Sequence, residues 1–148
     1  MTRLEMLSEL KTRLGGTVIA WREKSQKRHY VEVSPVDIVA VTGIMFKDMG
    51  ARFQIATGAD TRDAIEVLYH WAFDTYGCVV TIVVRLDRAN PELDSISGLC
   101  KGAEWIEREM WELLGIKFRN HPDMRHLLLS DDWPEGKFPL RKDYSRAN

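Results

Sequence analysis

Leu4, Leu7, Leu10 and Leu14 recur at helical spacing and predict an opening helix with one apolar face, closed by Gly15-Gly16. Thr17–Trp21 and His29–Val33 then read as two strands, with the polar stretch Arg22–Arg28 as the hairpin tip between them. Ser34-Pro35 predicts a second helix start, serine capping and proline in the first helical position. That helix runs to Met49, and Gly50 stops it. Ala51–Ala56 predicts a short strand. In 64–73, Ile65, Val67, Tyr69, Trp71 and Phe73 alternate as in a strand, while Ile65, Leu68, Tyr69 and Ala72 also fit a helix. The turn residues of Asp74–Gly77 favour the strand. Val79–Leu86 is β-branched and apolar on both faces, which predicts a strand at the centre of a sheet.

On a wheel of about 100° per residue, Ala103, Ile106, Met110, Leu113 and Leu114 share the core-facing arc of a third helix. Glu104, Arg108 and Glu112 fall in one row opposite, spaced to form a Glu–Arg–Glu ladder on a solvated face. Glu107, between Leu114 and Trp111, and Glu109, between Leu113 and Trp105, are crowded by apolar neighbours. Such carboxylates are costly without fixed donors. Arg119, Arg125, Arg141 and Lys142 in the following segment are the candidate cations. Gly115 closes the helix, and Ile116-Lys117-Phe118 reads as a short extended piece.

The order of elements predicts an α+β fold: a mostly antiparallel sheet of about five strands with helices packed on it, plus an extended C-terminal arm. The expected division is an α+β domain over 1–116, including the charged helix, and an arm over 117–148. Irregular segments of that length in a compact protein usually have a function.

Composition narrows the function classes. The chain has 148 residues and a net charge of −1, so it carries no global basic field for nucleic acid. Lys24, Lys27 and Arg28, with Trp21 and Tyr30 nearby, are the only local candidate for RNA, and a solvated hairpin tip explains them as well. No apolar run reaches the roughly 18–20 residues that span a bilayer, and the mixed charges of the N-terminus are unlike a secretory signal. These features point to the cytosol or the cytosolic face of a larger assembly. Cys78 and Cys100 have no metal-type spacing and read as buried thiols. Five tryptophans exceed a small core's needs and point to an interface.

Candidate chemistry is thin. His121-Pro122, His126, Asp131 and Asp132 lack the spacing of a metal site, and a turn accounts for His121-Pro122 equally well. Glu107 or Glu109 with His121 forms the one candidate acid/base pair, in a chain without a nucleophile or oxyanion motif. Gly136-Lys137 lacks the upstream glycine and the following hydroxyl of a phosphate loop.

Five blocks then follow in order: Glu107-Arg108-Glu109; Glu112-Leu113-Leu114-Gly115-Ile116; His121-Pro122-Asp123-Met124-Arg125; Asp132-Trp133; and Pro139-Leu140-Arg141-Lys142-Asp143-Tyr144. Together they resemble the signature of the 30-kilodalton (C) subunit of respiratory NADH:quinone oxidoreductase, complex I, a subunit type shared with membrane-bound energy-converting [NiFe] hydrogenases. The resemblance is densest over 103–144. It implies a non-catalytic subunit without a cofactor, in the hydrophilic arm of an ion-pumping redox complex at the cytoplasmic face of the membrane. It implies packing on the large catalytic subunit, which carries the quinone or nickel-iron site, and contact with the small iron–sulfur subunit. The residues of the five blocks would then be structural and interface positions, with Trp133, Arg141 and Tyr144 as anchors.

Some positions depart from the respiratory pattern. Glu112 replaces a usual aspartate, Trp111 a tyrosine, His126 an arginine and Asn120 a glycine, and the chain stops at Asn148. These departures lean toward the hydrogenase-type complex, with the 30-kilodalton subunit of NADH:quinone oxidoreductase as the alternative and a stand-alone acid/base enzyme as a further one.

Overall fold

In this computed structural model, residues 1–145 are described. Helix α1, Arg3–Leu14, begins with a capping box: the Thr2 hydroxyl accepts the Glu5 N–H, and the Glu5 carboxylate accepts the Thr2 N–H. Its buried face is Met6, Leu7, Leu10 and Leu14, whereas Leu4 is exposed. Leu4 thus departs from the expected leucine stripe, because the sheet meets the helix one position round and Met6 fills that contact. Strands β1, Val18–Ser25, and β2, Arg28–Val33, form a hairpin whose tip is shorter than the sequence suggests. The charges of 22–25 belong to the strand, not to a loop.

Ser34 does not cap the next helix. A single 3-10 turn, Pro35–Asp37, leads into α2, Ile38–Thr42, and the helix then widens over Gly43–Asp48 to π-type turns, with the Met49 N–H reaching the Ile44 carbonyl at 2.9 Å. Serine is not needed because the tighter turn starts the helix. Strand β3, Arg52–Asp60, is longer than expected, and β4, Ile65–Phe73, takes the strand alternative read from its alternation. Strand β5 is Cys78–Leu86.

The sheet order is β1-β2-β5-β4-β3, antiparallel except for β2 beside β5. Strand β5 is central, which is why its sequence is apolar throughout. Val67, Tyr69, Trp71, Val80, Ile82 and Val84 face the helices and are fully buried. The three helices pack on that face, and the other carries Tyr30, Glu66, Leu68 and Arg85, partly exposed to solvent. Helix α3, Glu104–Leu114, crosses β3 at Gly58, where a Cβ would lie 2.4 Å from a Leu114 methyl. Two short strands, β6, Glu92–Asp94, and β7, Lys117–Arg119, pair in parallel to frame α3. Cys78 and Cys100 are free, buried thiols whose pKa values are pushed up by that burial. No helix among the described residues is long and apolar enough to cross a membrane.

Candidate interface built on helix α3

Of the five residues expected on the core-facing arc, Met110 and Leu114 on α3 and Ala103 just before it are buried, while Ile106 and Leu113 are only half-buried. The expected Glu104–Arg108–Glu112 ladder is absent. Arg108 and Glu112 are 6% and 2% exposed, and both turn to the chain's own C-terminal segment. The Arg108 guanidinium donates to the carbonyls of Arg125 at 2.9 Å and His126 at 2.6 Å. The Glu112 carboxylate accepts the backbone N–H groups of Leu127, Leu128 and Leu129 at 3.0, 2.7 and 3.3 Å. His126 Nδ1 donates to it at 3.1 Å, and its ring packs on Trp111 with centroids 5.2 Å apart. Burial alone would raise the Glu112 carboxyl, but Leu128, Leu127 and the other donors outweigh it and hold its pKa below the ordinary value. A wheel sees only residue polarity, so it assigned this face to water.

Glu107 is fully buried, and its donors come from the sheet and one loop, not from the expected Arg119, Arg125, Arg141 or Lys142. Tyr69 Oη and the Ile96 N–H reach one oxygen at 3.0 and 3.1 Å, and Ser95 Oγ reaches the other at 2.6 Å. Burial raises the Glu107 carboxyl despite these bonds, and burial together with the nearby carboxylate pushes the Tyr69 phenol well up. Sequence reasoning missed Tyr69 and Ser95. An inward-facing tyrosine on an alternating strand was the available signal, because a buried phenol needs an acceptor.

Glu109 is half-exposed and has no hydrogen bond or ion pair among the described residues. Of the four cations expected to meet Glu107 or Glu109, Arg119 pairs with Asp94 and Arg125 with Asp123. The Arg141 Nε donates to the Leu114 carbonyl and its guanidinium lies over the Phe138 ring, 5.7 Å from the centroid. The Lys142 N–H donates to Asp60, which also pairs with Arg88.

The rest of the segment is ordered by small local bonds. His121 Nδ1 accepts the Asp123 N–H at 3.1 Å, so Nε2 carries the proton donated to the Glu104 carbonyl at 2.8 Å. Pro122 is exposed beside it, and Asn120 takes the left-handed φ of 64° that asparagine and glycine share. Asp132 accepts the Ser130 hydroxyl, and Trp133 Nε1 donates to the Lys137 carbonyl at 2.7 Å. The Trp133 and Tyr144 rings stack with centroids 6.3 Å apart. The Leu140 N–H reaches the Leu113 carbonyl at 3.0 Å, with Pro139 half-buried and Asp143 exposed on either side of the contact. Gly115, at φ 77°, ends α3, and a Cβ there would lie 2.6 Å from the Phe138 ring. At the hairpin, Trp21 bonds His29 and lies under Lys11, and Arg22 covers Tyr30, so both aromatics proposed for RNA stacking have partners in the chain. Among the described residues, no cluster of three or more His, Cys, Asp or Glu side chains could hold a metal ion.

The C-type subunit of F(420)H(2) dehydrogenase from Methanosarcina mazei is 45% identical over 83 residues, covering 56% of this chain and 52% of that protein. The C-type subunit of NADH-quinone oxidoreductase from Chloroherpeton thalassium is 36% identical over 110 residues, covering 71% and 45%. The chain thus spans about half the length of these curated relatives. A protein chain in the structure of an archaeal membrane-bound sulfane sulfur reductase superposes with a TM-score of 0.83 at 19% identity, covering 97% of this chain and 85% of that one. The trypsin-resistant fragment (1-134) of Nqo5 superposes with a TM-score of 0.66 at 22% identity, covering 82% and 99%. Both show the same fold. The family described as "Respiratory-chain NADH dehydrogenase, 30 Kd subunit" matches residues 31–148, and the chain belongs to that family.

Proposed function

We propose that this chain is a non-catalytic assembly subunit of the hydrophilic arm of a membrane respiratory complex. It packs on the large catalytic subunit and reaches the small iron–sulfur subunit, with the 117–148 segment as part of the contact. It sits at the cytoplasmic face as a peripheral subunit, carries no cofactor, and touches the membrane only through the complex. The observation that supports this reading is that Glu107 and His121 are taken up by bonds within the chain. His121 is the partner in either candidate acid/base pair, so the unbonded Glu109 is left without a free partner. Both oxygens of Glu107 and of Glu112 accept bonds from the chain itself, and both nitrogens of His121 are used. An acid/base pair needs both of its groups within reach of a substrate proton. These groups instead fix the shape of a surface.

Two settings remain from the sequence. The relatives named for F(420)H(2) and NADH-quinone enzymes favour a dehydrogenase-type complex, and the hydrogenase-type complex is the alternative. A tag on the full chain, extraction of the native assembly in mild detergent and mass spectrometry of its companions tests the proposal. A large oxidoreductase subunit and a small iron–sulfur subunit are expected, and nickel in the purified assembly marks the hydrogenase type. Recovery of the chain alone, or turnover by the chain alone, would overturn the proposal.

A further inference from the structure

Strand β3 lies at one end of the sheet order, paired only with β4, and among the described residues its outer edge has no partner strand. Exposed edges are normally guarded by charges or proline. Residues 53–59 of β3 have neither, and a bulge at Gln54 is the one irregularity. Two clefts open beside this edge, one lined by Phe53, Gln54 and Ile55 and the next by Ile55, Ala56, Thr57 and Gly58. Successive strand residues point to opposite faces, so lining by consecutive residues means that the clefts follow the edge of the strand. Helix α3 forms their other wall, and Ile55, Ile106 and Glu109 line both, joining them into one trough. Their volumes, about 240 and 200 Å³, fall below the roughly 300–1,000 Å³ of small-molecule sites, and each suits a side chain or two.

The trough is mostly apolar, with the side chains of Gln54 and Thr57 and one carboxylate as its polar groups. Ile55, Trp105 and Leu140 on its walls are 53%, 67% and 59% exposed. Glu109 is the single ionisable residue in either lining, and it has no partner among the described residues. A carboxylate set among apolar groups, next to unpaired backbone donors and acceptors, is complementary to an extended strand carrying one cation.

We propose that the trough between the β3 edge and α3 docks an extended, apolar segment of another subunit of the same complex, whose arginine or lysine meets Glu109. This rests on the reading of the chain as a complex subunit. A second copy of the chain is a poorer occupant, because neither lining has a basic residue and a twofold contact would bring two Glu109 carboxylates together without a cation.

The test uses the full tagged chain in its native assembly, with benzoylphenylalanine placed at position 55 or 105 and with Glu109→Lys and Glu109→Gln made separately. Light is expected to attach both positions to one stretch of a companion subunit that contains arginine or lysine. Glu109→Lys is expected to cut recovery of that companion roughly tenfold or more at about 0.15 M salt, with Glu109→Gln between it and wild type. Because Glu109 has no internal bond, both variants should keep the wild-type circular dichroism and melting temperature. Adducts only to a second copy, no protein adduct in an intact assembly, or wild-type recovery with Glu109→Lys would overturn the docking proposal. Failure of the wild-type chain to retrieve any redox subunit would overturn the functional reading beneath it.

Discussion

Arg108 and Glu112, one turn apart on α3, hold the same loop by its opposite backbone groups. Arg108 takes the carbonyls of Arg125 and His126, and Glu112 takes the next three N–H groups, Leu127 to Leu129. Neither residue is within ion-pair distance of the other's charge. Two opposite charges on one helix thus act as a clamp on a peptide segment, and each bond is charge-assisted.

Replacing either half should release the loop. Glu112→Gln swaps one acceptor oxygen for an NH2 that faces backbone N–H groups, and is expected to cost about 2 kcal/mol. For a chain of this size that corresponds to a fall of about 4–8 °C in melting temperature. Arg108→Met should cost a similar amount. Since both hold one loop, the double variant is expected to lose less than the sum by at least about 0.5 kcal/mol. Urea titrations of the four proteins measure this coupling, and strict additivity would contradict the clamp.

Glu107 and Glu112 titrate with opposite consequences. Burial raises the Glu107 carboxyl, so the folded chain binds more protons than the unfolded one, and this group's contribution to stability falls as pH rises from about 4.3 through its folded value. Glu112 is lowered, with its backbone donors outweighing burial. It contributes stability present above about 4.3 and lost as pH falls through its folded value. Relative to wild type, Glu107→Gln is therefore expected to gain as pH rises from 4 toward 7, and Glu112→Gln to gain as pH falls below about 4.3. Unfolding free energies across that range check both signs.

How much of this was legible follows from what a periodic pattern encodes. Alternation in 65–73 marked β4, and the unbroken apolar run of β5 marked the sheet centre, because both depend on which face is buried. Gly115 was legible as a helix stop because its left-handed φ is a local need. The partners of Arg108 and Glu112 were not, since they are backbone groups of an aperiodic segment. Glu107 and Glu109 looked equivalent on the wheel. The loop carrying Ser95 and Ile96 covers one and leaves the other open, and that choice is a long-range fact.

Gly115 has a second role beyond its backbone angle. Alanine there would be strained at φ 77° and would push a methyl into the Phe138 ring, which Arg141 covers from beyond. Gly115→Ala is expected to cost about 1–3 kcal/mol. Trypsin cleavage after Lys137, Arg141 or Lys142 should speed up by roughly tenfold for each 1.4 kcal/mol of local opening. Unchanged cleavage would show that Phe138 has room to move.

The last stretch of the described chain has a latch separate from the Arg108–Glu112 clamp. Asp60, at the end of β3 with its side chain 2% exposed, pairs with Arg88 and accepts the Lys142 N–H at 2.8 Å, bringing together residues 82 positions apart. Asp60→Asn removes the counter-charge of Arg88 and one of the acceptor oxygens, and should cost about 2–3 kcal/mol. Hydrogen exchange separates the two latches. With Asp60→Asn, the amides of Leu140 and Lys142 are expected to exchange faster while Leu127 to Leu129 stay protected, and with Glu112→Gln the order reverses. Joint opening in both variants would mean instead that the segment from 120 to 145 folds on α3 as one cooperative unit.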